Sequence, residues 1–167
     1  MDAQSPHTPA NGSRPTLTDV AWLAPHAIRG FFELVRARIA FARLEAKGIP
    51  TRNRIAREAA RPDSRVSEAS IARIAYVLPR LSDRLPWRSD CLVQAIAGQN
   101  WLMRLGAASE IQIGVENPKE GEFGAHAWLL HDGQVVTGGD IDRYSLLLSD
   151  SRLAKKTASE TSEGDRR

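Results

Sequence analysis

The sequence predicts an α+β fold, with N-terminal helices followed by a small antiparallel sheet. Three observations predict it. Apolar residues recur at helical spacing through the first hundred positions. The period changes to 2 at Ile111, Ile113 and Val115, which alternate with Gln112, Gly114 and Glu116. Short strand-like runs then follow, separated by Asn117-Pro118, Glu120-Gly121 and Asp132-Gly133. Runs of helices and then runs of strands, instead of an alternation, point to α+β architecture.

Taken in order, Leu17-Thr18-Asp19 offers an N-cap, and Ile28, Phe31, Val35, Ile39 and Ala42 follow as the apolar stripe of a long helix. Lys47-Gly48-Ile49-Pro50 ends it, glycine first and proline shortly after. A short helix is expected from Thr51 to Ala60, stopped by Arg61-Pro62, and another from about Val66 to Leu85 with Ile71, Ile74, Ala75 and Leu78 on one face. Pro79 should kink or split the latter. A further helix starts near Ser89-Asp90-Cys91 and runs to Arg104, closed by Leu105-Gly106. Ala125 to Leu130 and Gln134 to Thr137 read as two strands of a hairpin joined across His131-Asp132-Gly133, with His131 solvated at the tip.

The 167 residues favour one domain, expected over 16–150. Residues 1–15 are rich in Pro, Ser, Asn and Gly, and residues 151–167 are dominated by charged and small polar types. Both read as disordered tails. The net charge of +3 is too small, and its cations too dispersed along the chain, to argue for nucleic acid. A single cysteine excludes an internal disulfide, which fits a reducing compartment. No secretory signal pattern precedes the helices. The most apolar stretch, Val20 to Ala46, carries six charged residues from Arg29 to Glu45, so no membrane span is expected and the cytoplasm is the expected location.

Chemistry concentrates at two residues. Cys91 falls in the expected first turn of a helix, just after the N-cap types Ser89 and Asp90. Free backbone N–H groups and the positive end of the helix dipole favour a thiolate there, and the same N–H groups can hold an oxyanion. A lone cysteine followed by Leu-Val-Gln-Ala-Ile-Ala also fits a small buried apolar residue. His126 lies on a strand between the small residues Ala125 and Ala127, and a sheet would hold its imidazole rigidly. Taken alone, a structural role is the more ordinary one for such a histidine, since intermediate burial is normal for this residue type. With a three-residue hairpin loop, Leu130 pairs with Gln134 and His126 lies opposite Gly138. Asp140 is then diagonal to His126, about 7–8 Å away at the backbone. Asp140 is therefore the acid expected to orient His126, although a register change of one residue would turn it to the other face. Trp87 and Trp128 either wall a substrate cleft or belong to the core. Arg29, Arg36 and Arg43 give the long helix a basic face suited to an acidic partner.

Cys91-Leu92-Val93-Gln94-Ala95 at a helix start, preceded by Leu85-Pro86-Trp87-Arg88-Ser89, then Leu105-Gly106, Ile111-Gln112-Ile113-Gly114-Val115, Ala125-His126-Ala127-Trp128 and Asp132-Gly133 form a combined pattern. It resembles the transglutaminase-like leader peptidases of lasso-peptide gene clusters, over about Ile71 to Leu147. The resemblance implies a papain-like core with the nucleophile at a helix N-terminus. It implies a cysteine peptidase that cuts the leader from a ribosomally made precursor peptide, with Cys91 as nucleophile and His126 as base and then acid, and with no metal or cofactor. It implies partners as well: the precursor, a separate leader-binding protein that presents it, and an ATP-using macrolactam synthetase that acts afterwards. The family's orienting acid often stands where this chain has Gly138, so the Gly138-Gly139-Asp140 run departs from that form. Amide or acyl transfer uses the same residue set, and a precursor-binding module with a merely packed Cys91 is the non-catalytic alternative.

Overall fold

A computed structural model describes residues 17–43, 48–87, 90–116 and 124–148, which leaves both expected tails outside the described residues. Four helices precede four strands: α1 (Leu17–Ala42), α2 (Gly48–Glu58), α3 (Glu68–Ser82), α4 (Cys91–Arg104), β1 (Glu110–Glu116), β2 (Ala125–His131), β3 (Gln134–Thr137) and β4 (Tyr144–Leu148). The strands form one antiparallel sheet in the order β3-β2-β1-β4. The α+β architecture is thus the one the sequence predicts.

The long helix turns a different face inward from the one expected. Ile28, Phe31 and Ile39 are exposed, while Gly30, Glu33, Leu34 and Ala37 are buried. Positions 30, 33, 34 and 37 have the same helical spacing as the expected stripe, so periodicity alone does not choose between the two. Size chooses. A Cβ at Gly30 would sit 2.8 Å from Val77 Cγ1 and 3.4 Å from the Trp101 ring, so only the stripe that contains Gly30 lets α3 and α4 approach. Arg29 is half-buried with its guanidinium 5.0 Å from the Trp101 ring centroid, and desolvation lowers its pKa from the usual value. It therefore contributes less to a free basic face than its charge suggests.

Gly48-Ile49-Pro50 opens α2 instead of ending α1, and proline in a first turn forfeits no intrahelical hydrogen bond. Ser67 caps α3, its hydroxyl accepting the Ser70 N–H at 3.3 Å. Pro79 falls in the last turn of α3 and does not split it. Helix α4 is buried around most of its circumference, from Val93 through Leu102, because α1 and α3 pack on one side and the sheet on the other. Its C-terminus is a Schellman motif. Ala107 N–H reaches Leu102 O and Gly106 N–H reaches Met103 O, both at 3.0 Å, with Gly106 at φ +78°.

The hairpin between β2 and β3 has a two-residue loop, not three. Asp132 and Gly133 take φ of +47° and +78°, the primed-turn conformation whose twist matches the strands. His131 pairs with Gln134, and a bulge then shifts the register so that Leu130 faces Val135 and Leu129 faces Thr137. His131 is half-buried instead of solvated, its Nδ1 2.7 Å from the Ala108 carbonyl. Strand β4 was not expected from the sequence. Tyr-Ser-Leu-Leu-Leu lacks clean alternation, and pairing with β1 makes it a strand.

A buried polar clip ties the helical layer to the sheet. Asn53 donates from Nδ2 to Ile111 O (2.9 Å), and its Oδ1 accepts both the Ile111 N–H (2.8 Å) and Gln99 Nε2 (3.0 Å). Arg52 completes it by donating to Gln99 Oε1 and Asn100 Oδ1. Among the described residues no helix is long and apolar enough to cross a membrane.

Candidate active site

The N-terminus of α4 meets the edge of β2 where β3 has already stopped. The last β2–β3 pair is Leu129 with Thr137, so the outward N–H of Ala127 has no strand partner. The Cys91 sulfur takes it at 3.3 Å. Since Ala127 N is bonded to the carbonyl carbon of His126, standard bond lengths put Sγ within about 6 Å of His126 Cα. Cys91 is half-buried and is the free thiol of the chain. The cap residue Asp90 makes no side-chain cap hydrogen bond. Instead its carbonyl accepts the Gln94 N–H at 3.1 Å, so the backbone alone starts the helix. The first-turn N–H groups have no partner within the helix.

His126 projects from β2 opposite Gly114 of β1. Its Nε2 lies 2.7 Å from the Gly138 carbonyl oxygen. A carbonyl only accepts, so Nε2 carries the proton and a neutral ring keeps its lone pair on Nδ1. The ring face stacks on Tyr144 of β4, with centroids 4.8 Å apart and planes 25° apart. Arg143 lies over the far end of this stack, 5.0 Å from the Tyr144 ring. Its pKa is raised above the usual value by hydrogen bonding and charge interaction with Tyr144 and then by Glu116.

The sequence-predicted site residues are therefore distributed unequally. Cys91 and His126 come together at one strand edge. The exposed Asp140 accepts the Asp142 N–H on its own Oδ1 at 3.0 Å, and no hydrogen bond joins it to His126 among the described residues. Trp128 is buried, covers Gly114, and gives its indole N–H to Gln112 Oε1 at 3.0 Å. Trp87 is half-buried beside a cavity of about 390 Å³ lined also by Ser82, Asp83, Leu85, Pro86, Asp90 and Gln94. The lining includes Asp90, the residue before Cys91, and Gln94 of the first turn of α4, but not Cys91 itself. The Trp87 indole N–H has no hydrogen-bond partner among the described residues.

Three contributors escaped the sequence reading: the Ala127 N–H, the Gly138 carbonyl and Tyr144. The Gly138-Gly139 pair was a usable signal, since both take positive φ, +115° and +66°. Nothing in the sequence marked Tyr144. Among the described residues no group of three or more His, Cys, Asp or Glu side chains is placed to hold a metal ion.

A family model described as the transglutaminase-like superfamily matches residues 31–149, from the second half of α1 through β4. The chain belongs to the transglutaminase-like superfamily. No curated protein and no solved structure matches it. Members of this superfamily are generally cysteine-dependent enzymes of peptidase or acyltransferase type, which agrees with a thiol at a helix N-terminus beside a strand histidine. Position 138, where the sequence resemblance places an acid, here offers its main-chain carbonyl to the same imidazole.

Proposed function

We propose that this chain is a cysteine peptidase that removes the leader from a ribosomally made lasso-peptide precursor in the cytoplasm. A separate leader-binding protein presents the precursor, and an ATP-dependent macrolactam synthetase acts on the product. The observation that carries the chemistry is the pairing at one strand edge. The thiol accepts a hydrogen bond from the residue next to His126, and the imidazole is held through Nε2 with Nδ1 left as its basic atom.

In this reading His126 Nδ1 takes the Cys91 thiol proton, and the thiolate attacks the scissile carbonyl carbon. The tetrahedral oxyanion forms beside the free N–H groups at the start of α4. As the C–N bond breaks, the Nδ1 proton passes to the leaving amine. The thioester left on Cys91 is then hydrolysed by a water that His126 deprotonates. The cavity at Trp87 is lined also by Asp90, the residue before Cys91, which supports Trp87 as a substrate contact; Trp128 supports the site from beneath Gly114.

The test is mass spectrometry of a matched precursor incubated with the chain and its leader-binding partner. Wild type should release a defined leader, and Cys91→Ala and His126→Ala should both lose that release. A covalent product with an added amine in place of free acid would identify the chain as an acyl or amide transferase. Undiminished precursor binding with no cleavage by the folded wild type would identify a binding module.

A further inference from the structure

The acceptor that orients a catalytic imidazole is ordinarily a side chain, yet among the described residues none reaches His126. Glu116 is engaged with Arg143 at 3.9 Å, and Asp140 accepts its own turn's N–H. The Gly138 carbonyl, at 2.7 Å, satisfies Nε2 instead. We infer that His126 is oriented by a main-chain acceptor, the Gly138 carbonyl, together with the face of Tyr144, and that the Asp140 carboxylate takes no part. This rests on the reading of Cys91 and His126 as a nucleophile–base pair.

The local backbone is built for this role. Gly138 takes φ +115°, a conformation that side chains disfavour. A Cβ there would lie 2.4 Å from Trp128 Cβ and 2.9 Å from Trp128 Cα. The β2 backbone therefore excludes a side chain at 138, and with it any acid, while the close approach delivers the carbonyl to the imidazole. Tyr144 then closes the ring's remaining face. Its stack at 4.8 Å fixes the plane that the hydrogen bond alone leaves free to swivel. The carbonyl sets the tautomer and the tyrosine sets the plane. Both act through His126, so both are positioning elements.

A neutral acceptor has a chemical consequence. A carboxylate would add a charge–charge attraction to the imidazolium that forms when Cys91 gives up its proton, and a carbonyl adds only a dipole. The thiolate–imidazolium pair here depends on geometry instead of a buried negative charge.

The full chain, labelled with ¹⁵N-histidine, gives the decisive readout. His126 is assigned by loss of its signals in His126→Gln. In wild type and in Asp140→Asn alike, the His126 ring should carry its proton on Nε2. The pH dependence of Cys91 alkylation by iodoacetamide should superimpose for the two proteins, and so should their leader-release rates. Tyr144→Phe keeps the stack and should match wild type, whereas Tyr144→Leu should slow both alkylation and release about tenfold. A proton on Nδ1, or a displaced pH profile in Asp140→Asn, would overturn the inference while leaving the peptidase reading intact. The reverse is equally distinguishable. The expected tautomer and alkylation profiles with no leader release by wild type would uphold the positioning and remove the peptidase.

Discussion

Two hydrogen-bonded clusters flank helix α4, and they are made differently. The interior clip of Asn53, Gln99 and Ile111 is buried, and Asn53 satisfies both backbone groups of Ile111 through its side-chain amide. The rim at Cys91 and His126 is half-buried and held largely by main-chain atoms, the Ala127 N–H and the Gly138 carbonyl. The clip turns its polar groups on one another, with Arg52 taking the Gln99 oxygen. The rim leaves a sulfur, a ring nitrogen and a helix N-terminus open to a substrate. A closed polar network contributes stability and an open one contributes reactivity.

The comparison is broken most directly at the rim. His126→Ala should abolish leader release, at least about 10³-fold, with a thermal midpoint close to that of wild type. A large fall in the midpoint, read by circular dichroism, would make His126 structural. The clip should give the opposite pattern. Asn53→Ala orphans the buried Ile111 N–H and C=O and removes a partner of Gln99, a cost of about 3–4 kcal/mol in denaturant unfolding. The surviving folded fraction should keep wild-type Cys91 alkylation.

Two smaller effects sharpen the same contrast in α1. Leu34→Ala removes a fully buried side chain and should cost about 3 kcal/mol, whereas Ile39→Ala, half exposed, should cost under about 0.5 kcal/mol. Equal losses would restore the stripe expected from the sequence. Glu33 is fully buried, and its carboxylate lies 3.1 Å from the half-exposed Arg104 guanidinium without making a hydrogen bond. Glu33→Leu lets Arg104 turn to solvent and should stabilise the fold by about 1 kcal/mol. A loss instead would show that the pair contributes despite its geometry.

Much of this was legible in the residues. Leu105-Gly106, the alternation from Ile111 to Val115 and Asp132-Gly133 each act through local backbone preference. Each lies where that preference says, to within a few residues. Cys91 at a helix start and His126 on a strand were legible for the same reason. The inward face of α1 was not, because two stripes share one period and only the approach of Val77 and Trp101 prefers Gly30 and Ala37. Strand β4 was not, because its ladder lies with β1, about thirty positions back.

The sequence by itself determined the order of helices before strands, the ends of α4, a tight turn at Asp132-Gly133 and the two reactive side-chain types, since all of these are set by neighbours along the chain. Tertiary structure alone decided which groups surround the imidazole. The bulge at Leu129/Leu130 shifts the β2–β3 register, and Gly138 is drawn onto Trp128. Tyr144 is carried in on a strand that pairs only after folding. Register is a sum over pairings between distant segments, and a shift of one residue exchanges the faces. Whether His126 meets the Asp140 carboxylate or the Gly138 carbonyl is therefore settled in the assembled sheet.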